Sequence, residues 1–237
     1  MSSGSDKKIA FVLYPGLTPL DIVGPLQVMS GLRLFAPQWQ TVVVGERVEP
    51  MATDVGPAIV PEATFDDVAH PAVVVVPGGG APTIHQMGNR VLREYLVSVS
   101  ERAEVVTSVC TGALLLAAAG LLKDRKATTH WAYYRLLESL GATYMTDRWV
   151  EDGNVITSAG VSAGIDMALH LVSRLAGDET SKLVQLGIEY DPHPPFGGIA
   201  WDSVDRDILL PVVMQHVREQ LSDVPELQAR LLEAEKV

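Results

Sequence analysis

Short runs of apolar, β-branched residues alternate along this chain with segments of helical pattern, and four consecutive valines at residues 73–76 form the clearest run. Such a run is typical of a strand buried on both faces, as in a parallel sheet covered by helices. Similar runs predict strands at residues 9–14, 41–45, 72–76 and 105–109. The alternation therefore predicts an α/β fold with a mostly parallel central sheet and helices on both faces.

Helical patterns occur between and after these strands, at residues 19–31, 83–99, 111–120, 130–140 and 163–175. Asp152 and Gly153 separate two strand-like pieces within 148–158, which predicts a small β-hairpin. A stretch rich in proline and glycine at 191–198 interrupts regular structure, and helical patterns return at 204–221 and 225–235. We therefore expect one domain over residues 1–237, with a core at 8–190 and a C-terminal helical extension at about 199–237.

The composition excludes several kinds of partner. A single cysteine among 237 residues rules out an internal disulfide and a cysteine-based zinc site, and the histidines show no metal-ligand spacing, so we predict no metal. The net charge of −11 comes without a basic cluster, which argues against nucleic-acid binding. The longest apolar stretch is too short to span a bilayer, and no apolar signal segment follows Met1. We therefore expect a cytoplasmic protein with no membrane partner.

The single cysteine, Cys110, lies where a β-branched strand meets a helix rich in alanine and leucine. The N–H groups and the dipole at that helix start would stabilise a thiolate, the nucleophilic form of the side chain. Most lone cysteines are instead inert core residues. The small residues Thr111 and Gly112 suit a sharp turn like the nucleophile turn of hydrolases, although the Gly-x-Ser-x-Gly sequence is absent. We expect Cys110 to be reactive, with a lowered pKa.

Two further candidates follow predicted strands, at the sheet edge where α/β proteins bind ligands. The glycines at 78–80 can offer N–H groups to a developing negative charge, although an ordinary turn explains them equally well. Asp21 stands three residues after Thr18, at the start of a predicted helix. It is therefore either a helix-capping acid or a carboxylate that faces Cys110 and moves a proton, and the two roles are compatible.

Taken in order, these segments resemble the DJ-1/PfpI superfamily, and within it the isonitrile hydratases. The resemblance covers residues 8 to about 196 and rests on the segments 19–25, 76–80, 107–112, 117–122, 127–133, 160–166, 189–190 and 194–196. It implies a flavodoxin-like fold and a homodimer, whose contact the C-terminal helices could form unless they pack on their own core. Thr111 stands where protease-like members have a histidine, so a Cys–His dyad cannot form and peptidase activity is not expected.

The resemblance also implies a reaction, the hydration of an isonitrile, R–N≡C, to an N-substituted formamide. In that reaction the Cys110 thiolate attacks the terminal carbon, Asp21 supplies the proton and then helps to activate water, and Thr111 orients Asp21 or the substrate. Backbone N–H groups around Gly79, Gly80 and Thr111 stabilise the developing charge. No cofactor is needed, because a covalent thioimidate carries the reaction.

Besides Gly79 and Gly80, three residues are candidates for binding the small-molecule isonitrile. Trp131 and Tyr190 are expected to line an apolar pocket for the substituent R, and His130 precedes Trp131 near a strand-to-helix junction. A histidine next to a tryptophan is more often structural, so its role stays open. Two other functions also stay open: a non-catalytic small-molecule or redox sensor, and a glyoxalase or deglycase. The lack of a second cysteine disfavours a disulfide-based sensor.

Overall fold

The structure is a computed structural model that describes residues 7–235. Within that range the strands are β1 (Lys7–Val12), β2 (Trp39–Gly45), β3 (Met51–Ala52), β4 (Ala58–Ile59), β5 (Ala63–Thr64), β6 (Val73–Val76), β7 (Val105–Val109), β8 (Lys126–Ala127), β9 (Thr143–Tyr144), β10 (Trp149–Asp152) and β11 (Val155–Ser158). The helices are α1 (Pro19–Leu32), α2 (Ala81–Gln86), α3 (Arg90–Ser100), α4 (Gly112–Ala118), α5 (Tyr134–Ser139), α6 (Ala163–Ala176), α7 (Asp178–Gly187), α8 (Leu210–Gln220) and α9 (Pro225–Leu232).

A seven-stranded sheet in the order β10-β11-β7-β6-β1-β2-β5 forms the centre of the molecule. Every neighbouring pair in it is parallel except β10 and β11, which form the predicted antiparallel hairpin. The mostly parallel α/β fold is therefore confirmed. The four valines of β6 are fully buried because helices cover both faces of the strand. The parallel strands β1, β6 and β7 end at the same edge of the sheet, which brings the loops that follow them together.

The helices form two layers. Helices α1, α6 and α7 pack against one another, and α4 packs against α2, α3 and α5 in the other group. Helix α8 joins this second group by packing on α2, and it buries Val213, Met214 and Val217. The apolar faces of the C-terminal helices thus cover the chain's own core. No helix among residues 7–235 is long and apolar enough to cross a membrane.

Several element boundaries differ from the sequence-based expectations. The predicted helix at 83–99 is two helices, because Gly88 and Asn89 interrupt it and the Asn89 side chain accepts the Leu92 N–H as a new helix cap. Helix α7 was not predicted, and Gly177 at a φ of 89° separates it from α6. The predicted helix at 130–140 is a short 3₁₀ turn followed by α5, and the one at 204–221 begins only at residue 210.

Candidate active site

Cys110 stands at a sharp elbow between β7 and α4. Its φ of 57° lies in the left-handed region, which residues other than glycine rarely adopt. Three hydrogen bonds hold this conformation: the Cys110 N–H is shared between the carbonyls of Ser158 and Ala159, both at 3.1 Å, and the Thr129 hydroxyl donates to the Cys110 carbonyl at 3.0 Å. Backbone strain of about 1–3 kcal/mol persists only where the surrounding structure enforces it, often at functional sites.

The sulfur of Cys110 lies in a polar environment although the residue is only 4% exposed. Backbone N–H groups of Val161 and Thr111 hydrogen bond to it. Burial nevertheless raises the pKa of the thiol far above its usual value, and the negative charge of Asp21 raises it further. The expectation of a lowered pKa is therefore wrong for the free protein: the hydrogen bonds from the elbow only partly offset the loss of hydration.

The carboxyl group of Asp21 is the second component of the site. Asp21 is the third residue of α1 and is completely buried, and its Oδ2 accepts the Gly78 N–H at 2.9 Å. Its Oδ1 receives no N–H or O–H hydrogen bond from the described residues. Burial raises the pKa of Asp21 to about 7, while hydrogen bonds from Gly78 and from the Cys110 thiol oppose the rise. The Asp21 carboxyl therefore contacts the glycine loop and the thiol and does not cap the start of α1.

The glycine loop between β6 and α2 is fixed to the elbow by Thr111. The Thr111 hydroxyl accepts the Gly79 N–H at 2.8 Å and donates to the Gly79 carbonyl at 2.6 Å. The Gly79 N–H is thus already used and does not face a substrate, in contrast to the expectation. Gly80 caps α2, and the space where a Cβ would stand is open. Thr111 fixes the same loop whose Gly78 N–H holds Asp21, so it orients the carboxyl indirectly.

Sequence reasoning missed three residues of the site. Gly78 was recognised only as part of a glycine run, and its N–H is what holds Asp21. Val161 donates its N–H to the sulfur from a strained backbone with a φ of 34°, and no side-chain signal marks it. Tyr14 is buried, and its hydroxyl donates to the Pro77 carbonyl at 2.8 Å, which supports the glycine loop from below.

A cavity of about 420 Å³ adjoins the elbow. Val161, which contacts the sulfur, and Thr129, which holds the Cys110 carbonyl, belong to its wall, as do Trp131 and His130. The His130 ring accepts the Ala132 N–H at 3.3 Å, and burial lowers its pKa, so it forms a neutral part of the wall. Cys110 itself does not line this cavity, whose wall combines apolar and polar side chains and leaves space next to the elbow for a substituent.

Tyr190 does not line this cavity, contrary to the expectation. Its hydroxyl donates to Asp166 on α6 at 3.2 Å, and its N–H donates to the Gln185 carbonyl on α7 at 3.1 Å. These bonds hold Tyr190 in a separate groove between α6 and α7. Among residues 7–235, no cluster of three or more His, Cys, Asp or Glu side chains could hold a metal ion.

The chain is similar in sequence and fold to several known proteins. The chain is 39% identical to an isonitrile hydratase of Pseudomonas putida over 226 residues, which is 95% of each protein. It is 27% identical to a glutathione-independent glyoxalase of Caenorhabditis elegans over 73% of this chain and 91% of that one. The crystal structure of a ThiJ/PfpI family protein from Pseudomonas syringae superposes with a TM-score of 0.81 at 34% identity, covering 96% of this chain and 90% of that one. The profile of the DJ-1/PfpI family matches residues 7–174, and the chain belongs to this family.

Proposed function

We propose that this protein is an isonitrile hydratase, which adds water to R–N≡C and releases an N-substituted formamide. The observation that carries the proposal is the pairing of two buried groups: the Cys110 thiol and the Asp21 carboxyl, whose pKa is raised to about 7 and whose Oδ1 lacks an N–H or O–H donor within residues 7–235. A carboxyl with a pKa near neutrality can both accept and deliver a proton. The 39% identity to the Pseudomonas putida enzyme supports the same reaction.

The first step forms a thioimidate. Because the thiol holds its proton in the free protein, Asp21 removes that proton as the sulfur lone pair bonds to the terminal carbon of the isonitrile. The protonated Asp21 then delivers the proton to the same carbon, and the product is R–N=CH–S–Cys110. N–H groups of Val161 and Thr111 stabilise the negative charge that the sulfur carries during this transfer.

The second step releases the formamide. Asp21 takes a proton from water as the water oxygen adds to the thioimidate carbon and passes that proton to the nitrogen, which gives R–NH–CH(OH)–S–Cys110. The carbon–sulfur bond then breaks as the hydroxyl becomes the carbonyl of R–NH–CHO, and Asp21 transfers the hydroxyl proton to the sulfur. Asp21 is deprotonated at the start and at the end, so the cycle closes with one water consumed and no cofactor.

Glyoxalase activity is the second candidate, because a glyoxalase is among the relatives of this chain. Incubation of the purified protein with para-nitrophenyl isonitrile, and separately with methylglyoxal, distinguishes the two. Formamide as the product supports the hydratase, and lactate supports the glyoxalase. If neither product forms, both enzymatic proposals fail and a sensor becomes the better explanation.

A homodimer, which the family resemblance implies, is also proposed. Helices α8 and α9 bury Val213, Met214, Val217 and Leu231 against the chain's own core, so these side chains are not available for the contact. Light scattering of the purified protein should give twice the mass of one chain. A mass equal to one chain at micromolar concentration would contradict the dimer.

A further inference from the structure

The cavity beside the elbow has an aromatic part in its wall. Trp131 comes from the 3₁₀ turn before α5, Tyr144 from β9, and Trp201 from the segment before α8. The rings of Trp131 and Trp201 lie 6.5 Å apart between centroids and are inclined at 54°. Aromatic rings favour contact with another ring in offset or edge-to-face geometry, so this wall suits an aromatic ligand better than a branched aliphatic one.

Two arginines also line this cavity, and they differ in their partners. Arg148 forms an ion pair with Asp166 at 2.5 Å, which neutralises its charge. Arg206 forms no ion pair with any residue in the described range 7–235. The charge of Arg206 is therefore not neutralised by a carboxylate of the described residues, in contrast to that of Arg148.

The guanidinium group of Arg206 is held in place by aromatic rings. Its Nη1 donates to the Tyr144 hydroxyl at 3.0 Å, and its central carbon lies 6.0 Å from the Tyr144 ring centroid and 5.6 Å from that of Trp201. Such contacts orient a guanidinium while leaving its other N–H groups available. The result is a half-buried, fixed cation whose open donors match a carboxylate.

The acidic residues next to Arg206 in the chain are occupied elsewhere. Asp207 accepts two hydrogen bonds from Arg135, at 2.8 and 2.7 Å, and one from the Tyr134 hydroxyl at 3.0 Å. Oδ1 of Asp205 accepts the backbone N–H of Asp207 at 3.0 Å. The protein therefore anchors the segment of Arg206 firmly but does not neutralise its charge.

We infer that the substrates of this site are aromatic isonitriles that carry a carboxylate remote from the isonitrile group, with Arg206 as the residue that binds the carboxylate. The inference rests on the proposed hydratase function. In this arrangement the isonitrile carbon points to Cys110, the aromatic body lies against Trp131 and Trp201, and the carboxylate meets Arg206.

The test compares 4-isocyanobenzoate with its uncharged methyl ester. We expect the wild-type kcat/KM to favour the carboxylate by about 10- to 100-fold, mostly through KM, as for a charge-assisted hydrogen bond in a half-buried site. In Arg206→Met the ratio of the two kcat/KM values should fall to about one, and in Arg206→Lys it should be intermediate. Arg33→Met, which removes an exposed arginine, is the matched control and should keep the wild-type preference. If Arg206 had only a structural role, its replacement would lower kcat/KM equally for both substrates, and that result would overturn the inference.

A binding measurement separates this inference from the reaction itself. In Cys110→Ala, which cannot form the thioimidate, quenching of the fluorescence of the cavity tryptophans reports the affinity of both compounds. Tighter binding of the carboxylate, lost on adding Arg206→Met, supports the inference even if the wild type hydrates neither compound. Equal binding of the acid and the ester overturns it even if the wild type hydrates both.

Discussion

The backbone N–H of Gly78 donates to Oδ2 of Asp21 at 2.9 Å, across 57 residues of sequence. This bond orients the buried carboxyl so that Oδ1, which has no N–H or O–H donor among the described residues, remains for the thiol and the substrate. Gly78 in turn is fixed because the Thr111 hydroxyl holds its neighbour Gly79 on both backbone groups. Cys110, Asp21 and the glycine loop that orients the Asp21 carboxyl are thus linked by hydrogen bonds.

Replacement of Asp21 tests the proton transfer. Asp21→Asn keeps an oxygen for the Gly78 N–H but cannot exchange a proton, so kcat for isonitrile hydration should fall by about 100-fold or more. Asp223→Asn, which removes one exposed carboxylate, is the control and should retain wild-type turnover. Near-normal turnover in Asp21→Asn would exclude the carboxyl as the proton carrier.

The pH dependence of kcat/KM should report the pKa of Asp21. Below about pH 7 the carboxyl is protonated and cannot take the thiol proton, so kcat/KM should rise with pH and level off above about pH 7. The charge of Asp54 contributes to the raised pKa of Asp21, and Asp54→Asn should therefore move the bend to lower pH. A pH profile that is flat from pH 5 to 9, or a bend unmoved in Asp54→Asn, would contradict this assignment.

The buried Asp21 should make folding stability fall as the pH rises. Its pKa is 3.8 when unfolded and about 7 when folded, so the unfolded chain loses this proton first. The free-energy cost of ionising the buried Asp21 is absent below about pH 4 and grows between the two pKa values. It reaches about 4 kcal/mol above pH 7. We expect Asp21→Asn to be more stable than the wild type at pH 8 by up to that amount, measured by urea unfolding, with the difference shrinking toward pH 4. A pH-independent difference would show that folding does not change the pKa of Asp21 and would contradict its raised value.

Replacement by alanine should affect stability and activity differently at two glycines of the same loop. A Cβ at Gly78 would stand 2.4 Å from the Thr111 nitrogen and 2.7 Å from that of Gly112, and neither backbone atom can move without disturbing the elbow. Gly78→Ala should therefore lose about 1–3 kcal/mol of stability and most of its activity. Gly80→Ala meets nothing within 4 Å and should change the stability by no more than about 0.5 kcal/mol. Thermal melts and turnover of the two variants, made side by side, check this; equal effects would contradict the role given to Gly78.

The fold could be predicted from the sequence because its main signals are local. The valine run and its neighbours define buried parallel strands, and Asp152-Gly153 defines the hairpin. The break between α2 and α3 was missed because apolar spacing continues across Gly88 and Asn89. The short strands β3, β4, β8 and β9 have two residues each, too few for a period to show.

The site was predicted less completely, for physical reasons. Cys110, Asp21 and Thr111 carry recognisable side chains at strand and helix ends, and the structure brings them together. The pKa of Cys110 depends on burial, which a strand-to-helix position alone does not reveal. Val161 and Gly78 act through backbone N–H groups, which every residue but proline possesses, so no residue type marks them.

The most direct test of the account is formamide formation from para-nitrophenyl isonitrile by the wild type beside Cys110→Ala and Cys110→Ser. Both variants fit the space of the buried thiol, and circular dichroism checks that they fold. We predict that the wild type turns over the isonitrile while both variants form formamide no faster than buffer alone, because no sulfur is present to bond to the carbon. Formamide formation by Cys110→Ala at the wild-type rate would contradict the account.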